Sequence, residues 1–137
     1  MTYLVDTDYV IDYLKGQRNV PELLHTLLPE GLALSIITYA EIYEGIFYGH
    51  NRTHYEKGLH QFLHGVRVLG ITRSIARRFA VIRGQLRAQP QGKRLVQLKD
   101  TYDLFIAATA LSHNLTLITR NVDDYKDIPD LRLYPQH

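Results

Sequence analysis

Apolar residues in this chain fall into short compact runs that alternate with longer stretches where they recur every three or four positions, the spacings of strands and helices respectively. Tyr3-Leu4-Val5 is a β-prone run ending at Asp6, and the next segment predicts a helix from about Thr7 to Lys15, closed by Gly16. Leu23, Leu24, Leu27 and Leu28 keep helical spacing after Pro21 and stop at Pro29 and Gly31. Leu32 to Ile36 is compact enough for a strand buried on both faces, and Thr38 then opens a helix running to about Tyr48. Residues 52 to 64 carry an inward stripe of Tyr55, Leu59, Phe62 and Leu63, and Val66 to Ile71 reads as a strand.

The second half repeats the alternation. From Ser74 to Gln89, Ile75, Phe79, Ile82 and Leu86 line one helix face, with Arg73, Arg77 and Arg87 away from it. Gln89-Pro90-Gln91-Gly92 is a loop signal, followed by a short basic stretch through Lys99. A helix resumes near Thr101 with Leu104, Ile106, Ala107, Ala108 and Leu111, Leu115 to Thr119 is another buried strand, and Leu131-Arg132-Leu133 is a candidate edge strand. Strands separated by helices, without internal repeats, predict an α/β fold with a mostly parallel sheet. Ligands of such sheets bind beyond the C-terminal strand ends, so the residues that follow the strands carry the chemistry.

Composition narrows the classes. At 137 residues the chain suits one domain, and 45% hydrophobic with 22% charged residues is ordinary for a globular protein. No stretch approaches the roughly eighteen consecutive apolar residues of a membrane span, and the N-terminal residues lack the basic and apolar regions of a signal peptide, so the cytoplasm is the expected location. The absence of cysteine excludes disulfides, thiolate metal sites and cysteine nucleophiles. Net charge is only +2, but residues 57 to 99 hold ten Lys/Arg and no acid, between two acid-rich flanks. Such a layout suits a fold that holds cations in one place and phosphates beside it, and equally suits a solvated basic face.

The polar oxygen ligands at strand and helix ends are Asp6, Glu41, Asp103, and the group Asn121, Asp123 and Asp124. Carboxylates converging in one crevice repel one another unless a divalent cation such as Mg²⁺ or Mn²⁺ neutralises them, and such a cation can acidify a water and polarise a phosphoryl oxygen. Each acid also has a plainer reading. Thr38-x-x-Glu41 matches a capping box, Asp100 and Asp103 suit a helix N-terminus, Asp8 suits the first helix's N-cap, Asp12 a solvent-facing position, and Asp123, Asp124, Asp127 and Asp130 a solvated acidic loop. Asp6 resists dismissal, because a carboxylate ending a buried strand must find partners.

The strings Leu4-Val5-Asp6-Thr7-Asp8, Thr38-Tyr39-Ala40-Glu41, Tyr102 to Ala110 and Leu117-Ile118-Thr119-Arg120-Asn121 resemble the PIN-domain ribonucleases, particularly VapC-type toxins, in order over nearly the whole chain. The resemblance implies a three-layer α/β/α fold, cleavage of RNA with Mg²⁺ or Mn²⁺, a homodimer, and an antitoxin partner from a paired gene. It places Asp6, Glu41 and Asp103 in the metal site. Some members carry an acid at the position of Asn121, so Asn121, or Asp124 acting through a water, completes the catalytic group. Thr7 and Thr119 stand beside these acids, Arg120 is a candidate phosphate contact, and Arg73, Arg77 and Arg87 are candidate RNA contacts. A transfer RNA is a possible target on resemblance alone.

Other motifs carry less. His50 and His54, like His60 and His64, are four apart, but no H-E-x-x-H zinc motif exists. Gly92-Lys93 lacks the glycine and the hydroxyl residue of a phosphate-binding loop, and neither a serine-hydrolase elbow nor a dinucleotide turn is present. Tyr39, Tyr43 and Tyr48 suit base stacking or a protein interface. A receiver-type signalling domain would need an acid ending the middle strand, where Val66 to Ile71 has none. A catalytically silent binding domain of the same fold remains the other reading.

Overall fold

The structure, a computed structural model, describes residues 1–135. Strand β1 (Tyr3–Val5) leads into helix α1 (Thr7–Lys15), then α2 (Val20–Leu27) with a 3₁₀ turn at Leu28–Glu30, β2 (Leu32–Ser35), α3 (Ile36–Tyr48), α4 (Arg52–Phe62) and β3 (Val66–Leu69). The chain continues through α5 (Arg73–Arg87), α6 (Gly92–Leu98), α7 (Thr101–Ser112), β4 (Thr116–Ile118) and α8 (Val122–Tyr125). The four strands are all parallel, in the order β3-β2-β1-β4.

This is the parallel α/β fold expected from the alternation, with the three α/β/α layers that the resemblance implies. One core cluster, including Val5, Val10, Leu34, Ile42 and Leu59, gathers α1 to α4 on one sheet face. The other, including Leu4, Ile82, Leu86, Leu104 and Leu117, gathers α5 to α8 on the opposite face. Leu4, Val5, Ala33, Leu34, Leu117 and Ile118 have no solvent exposure, which is why the central strands read as continuous apolar runs. The chain moves from β1 outward to β2 and β3, then returns to place β4 on the other side of β1. α1 therefore leaves β1 toward one face while α8 follows β4 on the other, and the C-terminal ends of these two neighbouring strands lie where the order of connection reverses.

Several boundaries differ from the sequence expectation. Asp6, not Asp8, caps α1, accepting the Thr7 N–H at 2.8 Å, and Gly16 closes the helix in the left-handed conformation at φ 65°. Ser35 caps α3 by accepting the Ile37 N–H, so this helix begins at Ile36 rather than Thr38. The basic stretch after residue 92 is helix α6, where Gly92 is required because a Cβ would lie 2.0 Å from the Arg87 carbonyl oxygen. Residues 131 to 133 form no strand. They meet β4 through a single parallel bridge between Leu117 and Leu133, with the Leu117 N–H donating to Arg132 and the Tyr134 N–H to Leu117.

Candidate active site

Asp6 ends β1 and is 3% exposed, and its backbone N–H donates to the Ile118 carbonyl, which ties it to the end of β4. Its Oδ1 accepts the Thr7 N–H, while its Oδ2 accepts the Thr119 hydroxyl at 2.7 Å and the Tyr125 hydroxyl at 3.2 Å. Asp103 lies in the first turn of α7, capped by Asp100, whose carboxylate accepts the Tyr102 N–H. Oδ1 of Asp103 stands 3.2 Å from the same Tyr125 hydroxyl, so the two carboxylates face each other across one oxygen.

Glu41 joins from the other side. The capping box its sequence suggests does not form, because Thr38 lies inside α3. Glu41 Oε1 instead accepts the Thr7 hydroxyl at 2.8 Å, and that hydroxyl also stands 3.2 Å from Thr38 Oγ1. Hydrogen bonds thus link Glu41, Thr7, Asp6, Tyr125 and Asp103 in one line across the strand ends.

The electrostatics follow from burial without counter-charge. Burial, then the nearby Asp8 charge, pushes the Asp6 carboxyl up to about 6 against the hydrogen bonds from Thr119, Thr7 and Tyr125. Asp103 is pushed up to about 7 by burial and by the charges of Asp6 and Asp100. Burial raises Glu41 as well, and the Tyr125 hydroxyl is driven far above its ordinary value by burial and the two carboxylates. No ion pair reaches Asp6, Glu41 or Asp103 among the described residues.

The remaining candidates lie around this line. Asn121 is exposed, precedes α8, and its backbone N–H donates to Thr119 Oγ1 at 3.0 Å. Asp124 is exposed on α8, close enough for its charge to act on Asp103. The acidic loop is therefore partly a short helix, fastened by Lys99, whose ammonium donates to the Asp124 carbonyl at 2.7 Å. Arg120 is engaged by acids: its N–H donates to Asp8 Oδ2, and its guanidinium lies 3.6 Å from Asp8 and 3.2 Å from Asp12. Asp12 faces inward, not solvent. It is 1% exposed, paired also with Arg18 at 3.0 Å, and its contact with Arg120 lacks hydrogen-bond alignment.

Arg73, Arg77 and Arg87 are exposed on α5, and Arg73 and Arg87 stand about 20 Å apart along the helix, so no single phosphate meets both. Tyr39 and Tyr43 are half-buried with ring centroids 5.5 Å apart, whereas Tyr48 is exposed. A mostly apolar groove of about 370 Å³ lies between α1 and α3, lined in part by Ile11, Leu14, Ile42, Gly45 and Tyr55, and Glu41 borders it. Tyr125 was not singled out by the sequence reading, although Val122, Tyr125 and Ile128 recur every third position within the acidic loop, a stripe that marks buried residues.

The residues fit a divalent cation through the pair Asp6 and Asp103. Two desolvated carboxylates, both shifted upward and lacking a basic partner, are what a cation relieves. Among the described residues no three acidic or histidine side chains are arranged to enclose an ion, so Asp6 and Asp103 are the direct donors the geometry offers and Glu41 stands further off.

Known proteins resemble this chain in sequence and in fold. The PIN domain family model matches residues 3–131. Ribonuclease VapC1 of Haemophilus influenzae is 32% identical over 136 residues, covering 96% of each chain. Among solved structures, VapBC-1 from nontypeable Haemophilus influenzae matches at 31% identity and a TM-score of 0.80, over 98% of this chain and 97% of that one. VapBC2 from Rickettsia felis, solved with a DNA fragment from its promoter, shares the fold at a TM-score of 0.85 and 24% identity, over 98% of both chains.

Proposed function

The chain belongs to the PIN-domain family, and from that premise we propose that it is an endoribonuclease, the toxin of a toxin–antitoxin pair, whose Asp6, Asp103 and Glu41 hold Mg²⁺ or Mn²⁺. The observation that carries this reading is the Asp6–Asp103 pair, with Asp6 buried at the end of β1 and Asp103 half-buried in the first turn of α7, both within 3.2 Å of one hydroxyl and free of any Lys or Arg ion pair among the described residues. When bound, the cation supplies charge for the phosphodiester oxygens and acidifies a water.

The chain's own residues do the rest. Thr7, Thr119 and the Tyr125 hydroxyl fix the carboxylate orientations. Glu41, held by the Thr7 hydroxyl, would add its charge to the cation site, directly or through a water. Asn121 or Asp124 completes the group at the open side of the crevice, where both are exposed. Arg73, Arg77, Arg78, Lys93 and Arg94 are exposed on α5 and α6, and no ion pair engages them among the described residues, which supports a role in guiding the RNA backbone. Arg120 serves this only by giving up contacts to Asp8 and Asp12, and Arg87, at the far end of α5, would meet RNA well away from Arg73.

An antitoxin partner and a homodimer are part of the proposal. The similar Haemophilus protein was solved as VapBC-1, and the apolar groove beside Glu41 offers surface for a partner to bury. No helix among the described residues is long and apolar enough to cross a membrane, which is consistent with the proposed cytoplasmic site of action. Incubating purified protein with a total small-RNA pool, in Mg²⁺, Mn²⁺ or EDTA and beside Asp6→Asn, tests the reading. Discrete fragments that need the metal and fall by more than about 100-fold in the variant are expected, beyond the 10–100-fold typical of outer-shell changes at metal sites. Intact RNA with folded, metal-loaded protein would favour the silent binding domain.

A further inference from the structure

Tyr125 is 1% exposed, and its ring belongs to the core cluster beneath α7. Packing alone needs only that ring. Its hydroxyl stands 3.2 Å from Asp6 Oδ2 and 3.2 Å from Asp103 Oδ1, and the two carboxylates depend on it unequally. Asp6 is oriented by two further donors, the Thr7 N–H and the Thr119 hydroxyl. For the Asp103 carboxylate, Tyr125 provides the hydrogen bond among the described residues. A phenol carries one proton, so at any moment it donates to one of the two carboxylates, and it supplies no positive charge to offset theirs.

The tyrosine is itself held. The helix that carries it, α8, spans only Val122–Tyr125 and is too short to persist alone. The Lys99 ammonium donates to the carbonyls of Asp123 at 3.4 Å and Asp124 at 2.7 Å and pairs with Asp127 at 3.4 Å, with its side chain 8% exposed. Lys99 immediately precedes Asp100, the cap of α7, so one nearly buried side chain fastens the helix bearing Tyr125 to the start of the helix bearing Asp103.

We propose that Tyr125 is a positioning residue for cation binding: its hydroxyl sets the facing of Asp103 toward Asp6, so that the two bind a divalent cation as a preformed pair, and Lys99 keeps that hydroxyl in place. The proposal rests on the metal-dependent reading above. It assigns Tyr125 no contact with RNA.

Mn²⁺ binding, measured by electron paramagnetic resonance of the free ion at neutral pH, tests it on the full chain. The variants are Tyr125→Phe, which keeps the ring and removes the oxygen, Lys99→Gln, which loosens α8, and Asp103→Asn. Wild-type protein should bind Mn²⁺ and Asp103→Asn should lose most of that binding. Tyr125→Phe should bind 10–100-fold more weakly, the usual scale when an outer-shell partner of a metal ligand is lost. Lys99→Gln should weaken binding in the same direction. RNA cleavage by Tyr125→Phe should need correspondingly more Mn²⁺ for half-maximal rate and recover at saturation, a shift that a purely packing role does not produce. Wild-type affinity or tighter binding in folded Tyr125→Phe overturns the proposal. Absence of Mn²⁺ binding by the wild type, or unaltered binding by Asp103→Asn, overturns the metal reading and the proposal together.

Discussion

Helix α1 borders two groups of carboxylates that the fold treats in opposite ways. Toward the crevice, Asp6 meets Asp103 with only hydroxyls and an N–H between them. Further along the same helix, Asp8 and Asp12 are met by arginine: Arg120 lies against both and Arg18 against Asp12. Burial raises Asp8 too, but the Arg120 N–H and guanidinium and the Tyr9 N–H oppose it. One group carries its own counter-charge and fastens α1 to the turn after β4. The other lacks it. A buried acid with a built-in cation is structural by design, whereas a buried acid pair without one has a place for an external cation, and that contrast separates the candidate site from its neighbour more sharply than the positions of the acids do.

The contrast can be broken first at its structural end. Asp12→Ala strands the arginine contacts around a nearly unexposed position and should cost about 3–5 kcal/mol, the scale for removing one partner of a buried ion pair. Because Arg18 and Arg120 are half-exposed or nearly so, the lower end of that range is expected. Chemical denaturation reads this directly, and a cost under about 1 kcal/mol would show the clamp to be ornamental.

At the other end, removing a charge should stabilise. The folded state holds a proton on Asp6 up to about pH 6, whereas the unfolded chain releases it near 3.8, so folded protein binds more protons in between and stability falls as pH rises through that window. The full cost, about 3 kcal/mol by the free-energy value of a pKa unit, is reached near neutrality and is absent below the unfolded value. Asp6→Asn keeps a good helix cap and should therefore raise the unfolding temperature of metal-free protein at pH 7 by several degrees, with the gain shrinking toward pH 4. A gain that persists at pH 4 would point to packing instead of charge. The smallest effect belongs to the basic surface: Arg77→Gln should lower the salt dependence of RNA binding by about one in log–log slope, uniformly across RNA sequences, as for one phosphate contact.

Much of this was readable in the sequence, for identifiable reasons. The central strands β1 and β2 announce themselves because parallel strands inside a sheet are buried on both faces, and Asp6 stands out because it follows one of them. Glu41 was masked by a chance capping box. Its true partner, Thr7, lies 34 positions away, and the real cap, Ser35, sits at the end of what read as a strand. Asp12 was misread as solvent-facing because its partners Arg18 and Arg120 come from a turn and from the far end of the chain. Helix α6 hid behind its basic residues and its shortness, seven residues directly after the loop signal at 89 to 92. Tyr125 was hidden by its acidic neighbours, although the spacing to Val122 and Ile128 marks it as inward-facing.

Which acid group takes up a cation is decided by the unfolding temperature measured with and without Mg²⁺ at pH 7 for wild type, Asp6→Asn and Asp8→Asn. Mg²⁺ at about a hundred times its dissociation constant should stabilise wild type by about 2.7 kcal/mol, leave Asp6→Asn nearly unmoved, and still stabilise Asp8→Asn, whose group already holds arginine. Equal stabilisation of all three, or loss of the response in Asp8→Asn rather than Asp6→Asn, would contradict the assignment of the cation to the Asp6–Asp103 pair.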